Sequence, residues 1–132
     1  MHPFPKSSRL LKRADFRRVY DTGTRYSSRL LSAFLLNNRD PSRPPHARIG
    51  FTVPKAIGKA VVRNRIRRRT REAIRLDYQL IQPHWDLVIH PRRLILDAPF
   101  SELRQEVRKL LARCENQDKT DAIRRDPRAS DV

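Results

Sequence analysis

The sequence is poor in cysteine, glycine and long apolar runs, and each shortage excludes a class of protein. A single cysteine, Cys114, cannot form an internal disulfide, so the chain is not a disulfide-stapled secreted domain. Only three glycines exist, and their positions form neither of the glycine-rich loops that cradle nucleotide phosphates. No apolar run approaches the ~20 residues of a membrane span, and the N-terminus lacks the apolar segment of a signal peptide. We therefore expect a cytoplasmic protein without a membrane partner.

Acidic side chains are also scarce, whereas basic ones are abundant. The 132 residues include 30 lysines and arginines against 14 aspartates and glutamates, which gives a formal net charge of +16. Such self-repulsion opposes a compact state unless a counter-charge is bound. The length suits one domain with one modest core. Because the basic excess is mostly arginine, the composition favours nucleic acid as the partner.

The densest positive charge lies in residues 61–75, where seven of the fifteen residues are arginine and only Glu72 is acidic. The spacing predicts a helix with one buried stripe, formed by Val62, Ile66, Thr70 and Ala73. The outward positions, which we call the arginine face, are Asn64, Arg65, Arg67, Arg68, Arg71 and Arg75. A solvated helix face is the simpler interpretation. However, neighbours of one sign repel instead of pairing, so we predict that this face binds phosphates.

The remaining pattern predicts two further helices and three strands. Residues 9–20 form the first helix, which Gly23 closes in a left-handed conformation. Strands are predicted at 30–36, 48–53 and 85–90, and a last helix follows Pro99 or Ser101 and runs to Cys114. The strand, helix, strand order indicates a crossover between parallel strands. The chain is thus predicted to comprise a flexible arm (1–8), one α+β domain (9–114) and a polar, frayed tail (115–132).

Three aromatic residues have two interpretations that the sequence leaves open. Phe16 and Tyr20 stand four residues apart and share a helix face, and Phe34 lies in a predicted strand. They either pack in the core or form a surface on which unpaired bases stack, an interaction of ~1–3 kcal/mol per base. Arg48 and Thr52 share a strand face that can line the same groove.

Nothing in the sequence predicts catalytic residues or a metal site in the protein itself. The four histidines, His2, His46, His84 and His90, do not have metal-ligand spacing. The carboxylates Asp15, Asp21 and Asp40 are isolated, whereas two-metal nuclease chemistry requires a cluster.

Residues 48–75, RIGFTVPKAIGKAVVRNRIRRRTREAIR, resemble the signature of the bacterial ribonuclease P protein component. The triplet Arg63-Asn64-Arg65 carries most of the specificity, and residues 9–36 are similar to the opening of that family. The resemblance spans about residues 9–114. It implies a small α/β sandwich like domain 2 of ribosomal protein S5, with a four-stranded sheet, three helices and a left-handed βαβ crossover. The pattern alone supplies only three of these strands.

The resemblance also implies a function. The family's protein is the small subunit of a ribonucleoprotein that removes the 5′ leader from precursor tRNA. Catalysis belongs to the RNA subunit and its Mg²⁺ ions, so the protein is expected to bind no cofactor and to require no protein partner. A general RNA-binding structural protein of ribosomal type is the alternative function, and a self-sufficient nuclease is a third.

The family's functional residues carry over by position. The residues expected to contact the catalytic RNA are Arg63, Asn64, Arg65, Arg67, Arg68, Arg71 and Arg75. Those expected to form a leader cleft, which would hold the single-stranded 5′ leader, are Phe16, Tyr20, Arg29, Phe34, Arg48, Thr52 and Lys55.

Overall fold

The computed structural model describes residues 12–43 and 45–125, with side chains up to residue 119. The helices are α1 (Arg13–Thr22), α2 (Ala60–Asp77) and α3 (Phe100–Arg125). The strands are β1 (Thr24–Ser27), β2 (Leu31–Asn37), β3 (Arg48–Phe51) and β4 (Trp85–Pro91). Short 3₁₀ turns occupy Lys55–Ile57, Tyr78–Leu80 and Arg93–Leu96. The predicted arm at 1–8 lies outside the described residues.

The four strands form one mixed sheet in the order β1-β2-β4-β3. β2 pairs antiparallel with β1 and β4, whereas β3 pairs parallel with β4 and is joined to it through α2. The α+β class, the four strands, the three helices and the parallel crossover are confirmed, and the left hand of the crossover stays a prediction. β1 is the strand that the pattern missed. It is short and alternates half-buried with exposed residues, so it has no buried apolar run to reveal it.

Alternation along the strands divides the apolar side chains between the two faces of the sheet. One face carries the main core, in which Leu35, Ile49 and Leu87 pack with Leu103 of α3. The other face carries a smaller cluster around Val19 of α1 and Val88 of β4. Thus α2 and α3 cover one side of the sheet, and α1 covers part of the other.

The C-terminal segment is more ordered than its composition predicts. The helix expected to end near Cys114 continues to Arg125, so the predicted frayed tail is wrong over residues 115–125. Asp118 explains the extension, because it accepts a hydrogen bond from Trp85 Nε1 at 2.9 Å and contacts His84 Nε2 at 2.7 Å. These partners lie more than 30 positions away in sequence, so local polarity gave no sign of them. Residues 126–132 lie outside the described part.

Gly23 ends α1 for a different reason from the one predicted. Its φ of −82° and ψ of 169° are extended, not left-handed. A Cβ atom here would lie 2.4 Å from the carbonyl oxygen of Val19 and 2.9 Å from that of Leu35. Glycine is therefore required because the end of α1 passes directly against β2.

The carboxylate of Asp86, only 1% exposed, ties several elements together. Arg48 donates to it from Nε at 3.0 Å and from Nη2 at 2.9 Å, Arg43 from Nη2 at 2.7 Å and Asn38 from Nδ2 at 2.9 Å. Arg48 Nη1 also reaches Asp15 of α1 at 3.4 Å. Burial alone would raise the pKa of Asp86, but these donors hold that pKa below its ordinary value. The Asp86 carboxylate therefore connects four parts of the fold: β3, β4, the loop before β3 and, through Arg48, α1.

We expect Gly23→Ala to lower the free energy of unfolding by about 1–3 kcal/mol, because both atoms that the new methyl group meets belong to the backbone. Denaturant titration followed by circular dichroism measures this loss. Asp21→Ala, at an exposed position of the same helix, is the control and should change stability by less than about 0.5 kcal/mol. A Gly23→Ala protein as stable as the control would contradict the role given to this close approach.

We expect Asp86→Asn to cost about 3–5 kcal/mol at neutral pH, because two arginines would lose their buried counter-charge. Since the pKa of Asp86 is lowered by folding, the stabilisation is present above the unfolded carboxyl pKa of ~4 and is lost as the pH falls through the folded-state value. Urea titrations at several pH values should therefore show the wild-type and variant stabilities converging in acid. Asp97→Asn, which alters an exposed carboxylate, should behave like wild type throughout.

Candidate nucleic-acid interface

The orientation of α2 follows from its buried stripe. The helix follows Lys59, which is extended, and its sequence contains no glycine or proline before Asp77. Ile66, Thr70, Ala73 and Ile74 are buried, the last two in the main core, which confirms the predicted stripe apart from Val62, which is only half-buried. The arginine face is thereby held on the opposite side of a helix that is buried along one side from Ile66 onward.

The centre of the arginine face is open to solvent. Asn64, Arg65 and Arg68 are exposed, and Arg67 Nη1 donates to Asn64 Oδ1 at 3.0 Å. The guanidinium of Arg71 lies over the ring of Phe51, 5.6 Å from its centroid. Guanidinium groups present paired donors that match phosphate oxygens, so this surface can bind an RNA backbone.

The two ends of the predicted arginine set are engaged within the protein. Arg63 Nε donates to the Gly58 carbonyl oxygen at 3.2 Å, in the turn that begins the helix. Arg75 Nε donates to Glu72 Oε2 at 3.0 Å. Both side chains are therefore positioned by the fold before any partner binds, and each retains further N–H donors.

Arg69, which the predicted face excludes, points inward. It donates from Nε to the Ile95 carbonyl oxygen at 2.9 Å and from Nη2 to that of Ala98, and it lies over the ring of Phe100 at 5.7 Å. The segment thus contains both structural and outward arginines, and the helical period separates them correctly.

The three aromatic residues come together where α1 crosses the sheet. Phe16 and Tyr20 of α1 and Phe34 of β2 are all half-buried and pack against Val19 and Val88. The rings of Tyr20 and Phe34 meet edge to face, with centroids 5.0 Å apart. The three rings therefore pack in a small core, which confirms the first interpretation, and they remain half-buried, so base stacking on their accessible surface stays a prediction.

Two polar side chains complete this group. The Tyr20 hydroxyl lies 3.2 Å from Thr52 Oγ1 and 2.9 Å from His90 Nε2. The His90 ring is 5.6 Å from that of Tyr20 and 5.8 Å from that of Phe34. We define Phe16, Tyr20, Phe34, Thr52 and His90 as the aromatic cleft.

His90 was not predicted as a site residue, because the histidines were tested only for metal-ligand spacing. Strand alternation could have found it, since Asp86, Val88 and His90 share one face of β4. Burial first, and the charge of Arg25 second, lower the pKa of His90 below its ordinary value. The cleft therefore contains a titratable group that favours its neutral form in the free protein.

Two residues predicted for the leader cleft are committed elsewhere. The Arg48 side chain is only 12% exposed and is bound by Asp86, so it is not a free cation in the cleft. Arg29 contacts Glu102 at the start of α3, on the opposite face of the sheet from the aromatic cleft. Sequence alternation could not show either partner. Lys55 is exposed in the turn that follows β3, close to Thr52 along the chain.

Residues 12–43 and 45–125 contain no group of three histidine, cysteine or carboxylate side chains arranged to hold a metal ion. None of the helices in this part has the length and apolar character that crossing a membrane requires. Cys114 is buried, and burial raises the pKa of its thiol to about 12, so it is not a nucleophile near neutral pH.

The chain is similar to proteins of one family. The sequence profile described as Ribonuclease P matches residues 4–115. The ribonuclease P protein component of Clostridioides difficile is 34% identical over 111 residues, which cover 83% of this chain and 94% of the relative. That of Symbiobacterium thermophilum is 38% identical over 108 residues, covering 82% and 91% respectively.

Solved structures show the same similarity. The Staphylococcus aureus RNase P protein superposes with a TM-score of 0.69 at 29% identity, covering 81% of this chain and 94% of the other. The RNase P protein from Thermotoga maritima gives a TM-score of 0.68 at 28% identity, covering 80% and 96%.

Proposed function

This chain belongs to the ribonuclease P protein family, and from that premise we propose how it engages its RNA partners. It is a protein subunit of ribonuclease P, the ribonucleoprotein endoribonuclease of tRNA processing, and therefore assembles with RNA. We propose that the arginine face binds the catalytic RNA subunit and that the aromatic cleft binds the single-stranded 5′ leader of precursor tRNA.

The arginine face suits a folded RNA because its charges are exposed and rigidly spaced. Arg65 and Arg68 are exposed on a helix whose opposite side is buried from Ile66 onward, so little backbone freedom is lost when they bind phosphates. Arg67, Arg71, Arg63 and Arg75 flank them with partly engaged guanidinium groups. Neutralising phosphates here would also relieve the self-repulsion of a chain of formal charge +16.

The aromatic cleft suits an unpaired strand because it combines ring surface with few charges. Half-buried Phe16, Tyr20 and Phe34 can stack on bases of any identity, since every base has a π-face. Exposed Lys55 follows the cleft and can meet the leader backbone. Arg48 and Arg29 are left out of this assignment because Asp86 and Glu102 engage them.

We propose that the phosphodiester is hydrolysed by the RNA subunit with Mg²⁺. The described residues do not fit a protein-borne magnesium centre, because they contain no cluster of three possible ligands and the buried Asp86 carboxylate is occupied by Arg43 and Arg48. On this proposal the protein needs no further protein partner and acts in the cytoplasm. A structural RNA-binding protein of ribosomal type has no observation in its favour, given relatives named for ribonuclease P.

Binding of the protein to its RNA subunit should weaken with salt. If the arginine face makes four or more phosphate contacts, log K should fall with log[salt] at a slope of about −3 or steeper. Changing Arg65 and Arg68 to Ala should weaken assembly and make the slope shallower by roughly 1.5–2. Filter binding between about 50 and 400 mM salt measures both quantities.

The matched control for this test removes two charges elsewhere. Lys109 and Arg113 are exposed on α3, and changing both to Ala should leave most of the slope intact. Equal changes of slope in the two double variants would mean that only total charge matters, which would refute the assignment of α2.

Phe16→Ala should weaken binding of precursor tRNA by the holoenzyme about 5- to 150-fold, because a stacked base contributes ~1–3 kcal/mol. Binding of mature tRNA, which has no leader, should change little. Phe100→Ala is the control, since Phe100 is also half-buried but packs on the opposite face of the sheet. If the Phe16 variant lost affinity equally for precursor and mature tRNA, the assignment of the leader to the aromatic cleft would be refuted.

A further inference from the structure

We propose that His90 is a positioning residue of the aromatic cleft, and that its protonation is coupled to leader binding through Tyr20 and Thr52. This inference rests on the proposed function, because it requires the leader to occupy the cleft. Within that function it assigns a role to a side chain that the family resemblance and the sequence pattern left unassigned.

The geometry is a chain of three polar groups from three elements. Tyr20 from α1 places its hydroxyl between His90 Nε2 at 2.9 Å and Thr52 Oγ1 at 3.2 Å. Thr52 lies just beyond β3 and is half-buried, so its hydroxyl can also meet a molecule in the cleft. The ring of Phe34 packs against both Tyr20 and His90 and limits their movement.

The direction of these hydrogen bonds depends on both the tautomer and the charge of His90, and the proposal takes the neutral tautomer that carries its proton on Nδ1. A neutral imidazole with its proton on Nδ1 accepts at Nε2 from the Tyr20 hydroxyl, whose oxygen then accepts from Thr52. Thr52 donates its only hydroxyl proton in this bond, so its oxygen can only accept hydrogen bonds from a molecule in the cleft. A phosphate oxygen or a base carbonyl would meet an acceptor there.

Protonation of that tautomer at Nε2 reverses the hydrogen bonds. The imidazolium has N–H on both nitrogens, so Nε2 donates to Tyr20, and Tyr20 donates to Thr52. The Thr52 hydroxyl can then donate a hydrogen bond to a molecule in the cleft. The His90 imidazolium also adds a positive charge beside the rings of Tyr20 and Phe34. Both changes favour an anionic strand with exposed phosphate and carbonyl oxygens.

The charges around His90 set the direction of the effect. Arg25 on β1 disfavours the imidazolium, the Tyr20 hydroxyl faces it, and the charge of Asp86, four residues earlier on the same face of β4, is occupied by Arg48. Burial and Arg25 lower the pKa of His90 in the free protein. A bound polyanion opposes Arg25 and raises this pKa, so binding takes up a proton and tightens as the pH falls through the bound-state value.

The test compares precursor tRNA with leaderless tRNA, both bound to the reconstituted holoenzyme, from about pH 5.5 to about pH 8. The precursor is blocked at the scissile bond so that equilibrium is reached. For wild type we expect the ratio of the two affinities to rise as the pH falls, by about tenfold for each unit by which the pKa rises on binding. His90→Gln, which retains hydrogen bonding without titrating, should flatten the ratio. Thr52→Val should reduce its rise, because the donor end of the chain is lost.

The matched control is His84→Gln. His84 also lies at β4 but contacts Asp118, away from the aromatic cleft. This variant should retain the wild-type dependence on pH, which excludes a general effect of removing a histidine.

A second measurement follows His90 directly. Imidazole ¹⁵N shifts of the full chain, titrated with and without a leader oligoribonucleotide, should show the pKa of His90 rising on binding. An unchanged His90 pKa, or a His90→Gln variant with the wild-type pH dependence, would overturn the proposal while leaving the leader cleft intact. Equal affinity for precursor and leaderless tRNA at every pH would instead refute the leader cleft and the proposed function with it.

Discussion

A single buried carboxylate organises this protein. Asp86 sits in an interior strand of the sheet and gathers Arg48 from β3 and Arg43 and Asn38 from the segment before it, and Arg48 in turn reaches Asp15 of α1. Removing a carboxylate from water costs several kcal/mol, and only a full set of donors offsets that cost. The position of α1 therefore depends on this charge. Since α1 supplies Phe16 and Tyr20, the shape of the aromatic cleft also depends on the charge of Asp86.

Arginine has two opposite uses in this chain. Arg65 and Arg68 are exposed to solvent on α2, where their guanidinium groups suit a phosphate backbone. Arg48 and Arg69 are turned inward, where they satisfy a carboxylate and carbonyl oxygens. The formal charge of +16 therefore does not by itself show which arginines an RNA can contact. The position of an arginine within the helical or strand period decides whether it faces solvent, where it can bind phosphate, or faces inward, where it stabilises the fold.

The sequence predicted features whose cause is local and missed those whose cause is distant. The buried stripe of α2 and the strand β3 follow from periodicity, most of β4 follows from its consecutive apolar residues, and the aromatic pair of α1 follows from its spacing. β1 was missed because a short edge strand with alternating half-burial carries little apolar signal. The extension of α3 depends on Trp85 meeting Asp118, and the confinement of Arg48 depends on Asp86. Such pairs form only after the chain folds, so no local pattern contains them.

The place of β4 in the sheet has a consequence for synthesis on the ribosome. β4 joins the β1–β2 hairpin to β3, yet it is the last strand to be made. Until it emerges, β3 has no neighbour, and Leu31 and Leu35 lack the cover that Leu87 and Ile89 later supply. Long-range pairing of this kind forms late and cooperatively. The complete sheet therefore cannot form before Pro91 has been made, and a product that ends before β4 would leave these side chains exposed and open to proteases.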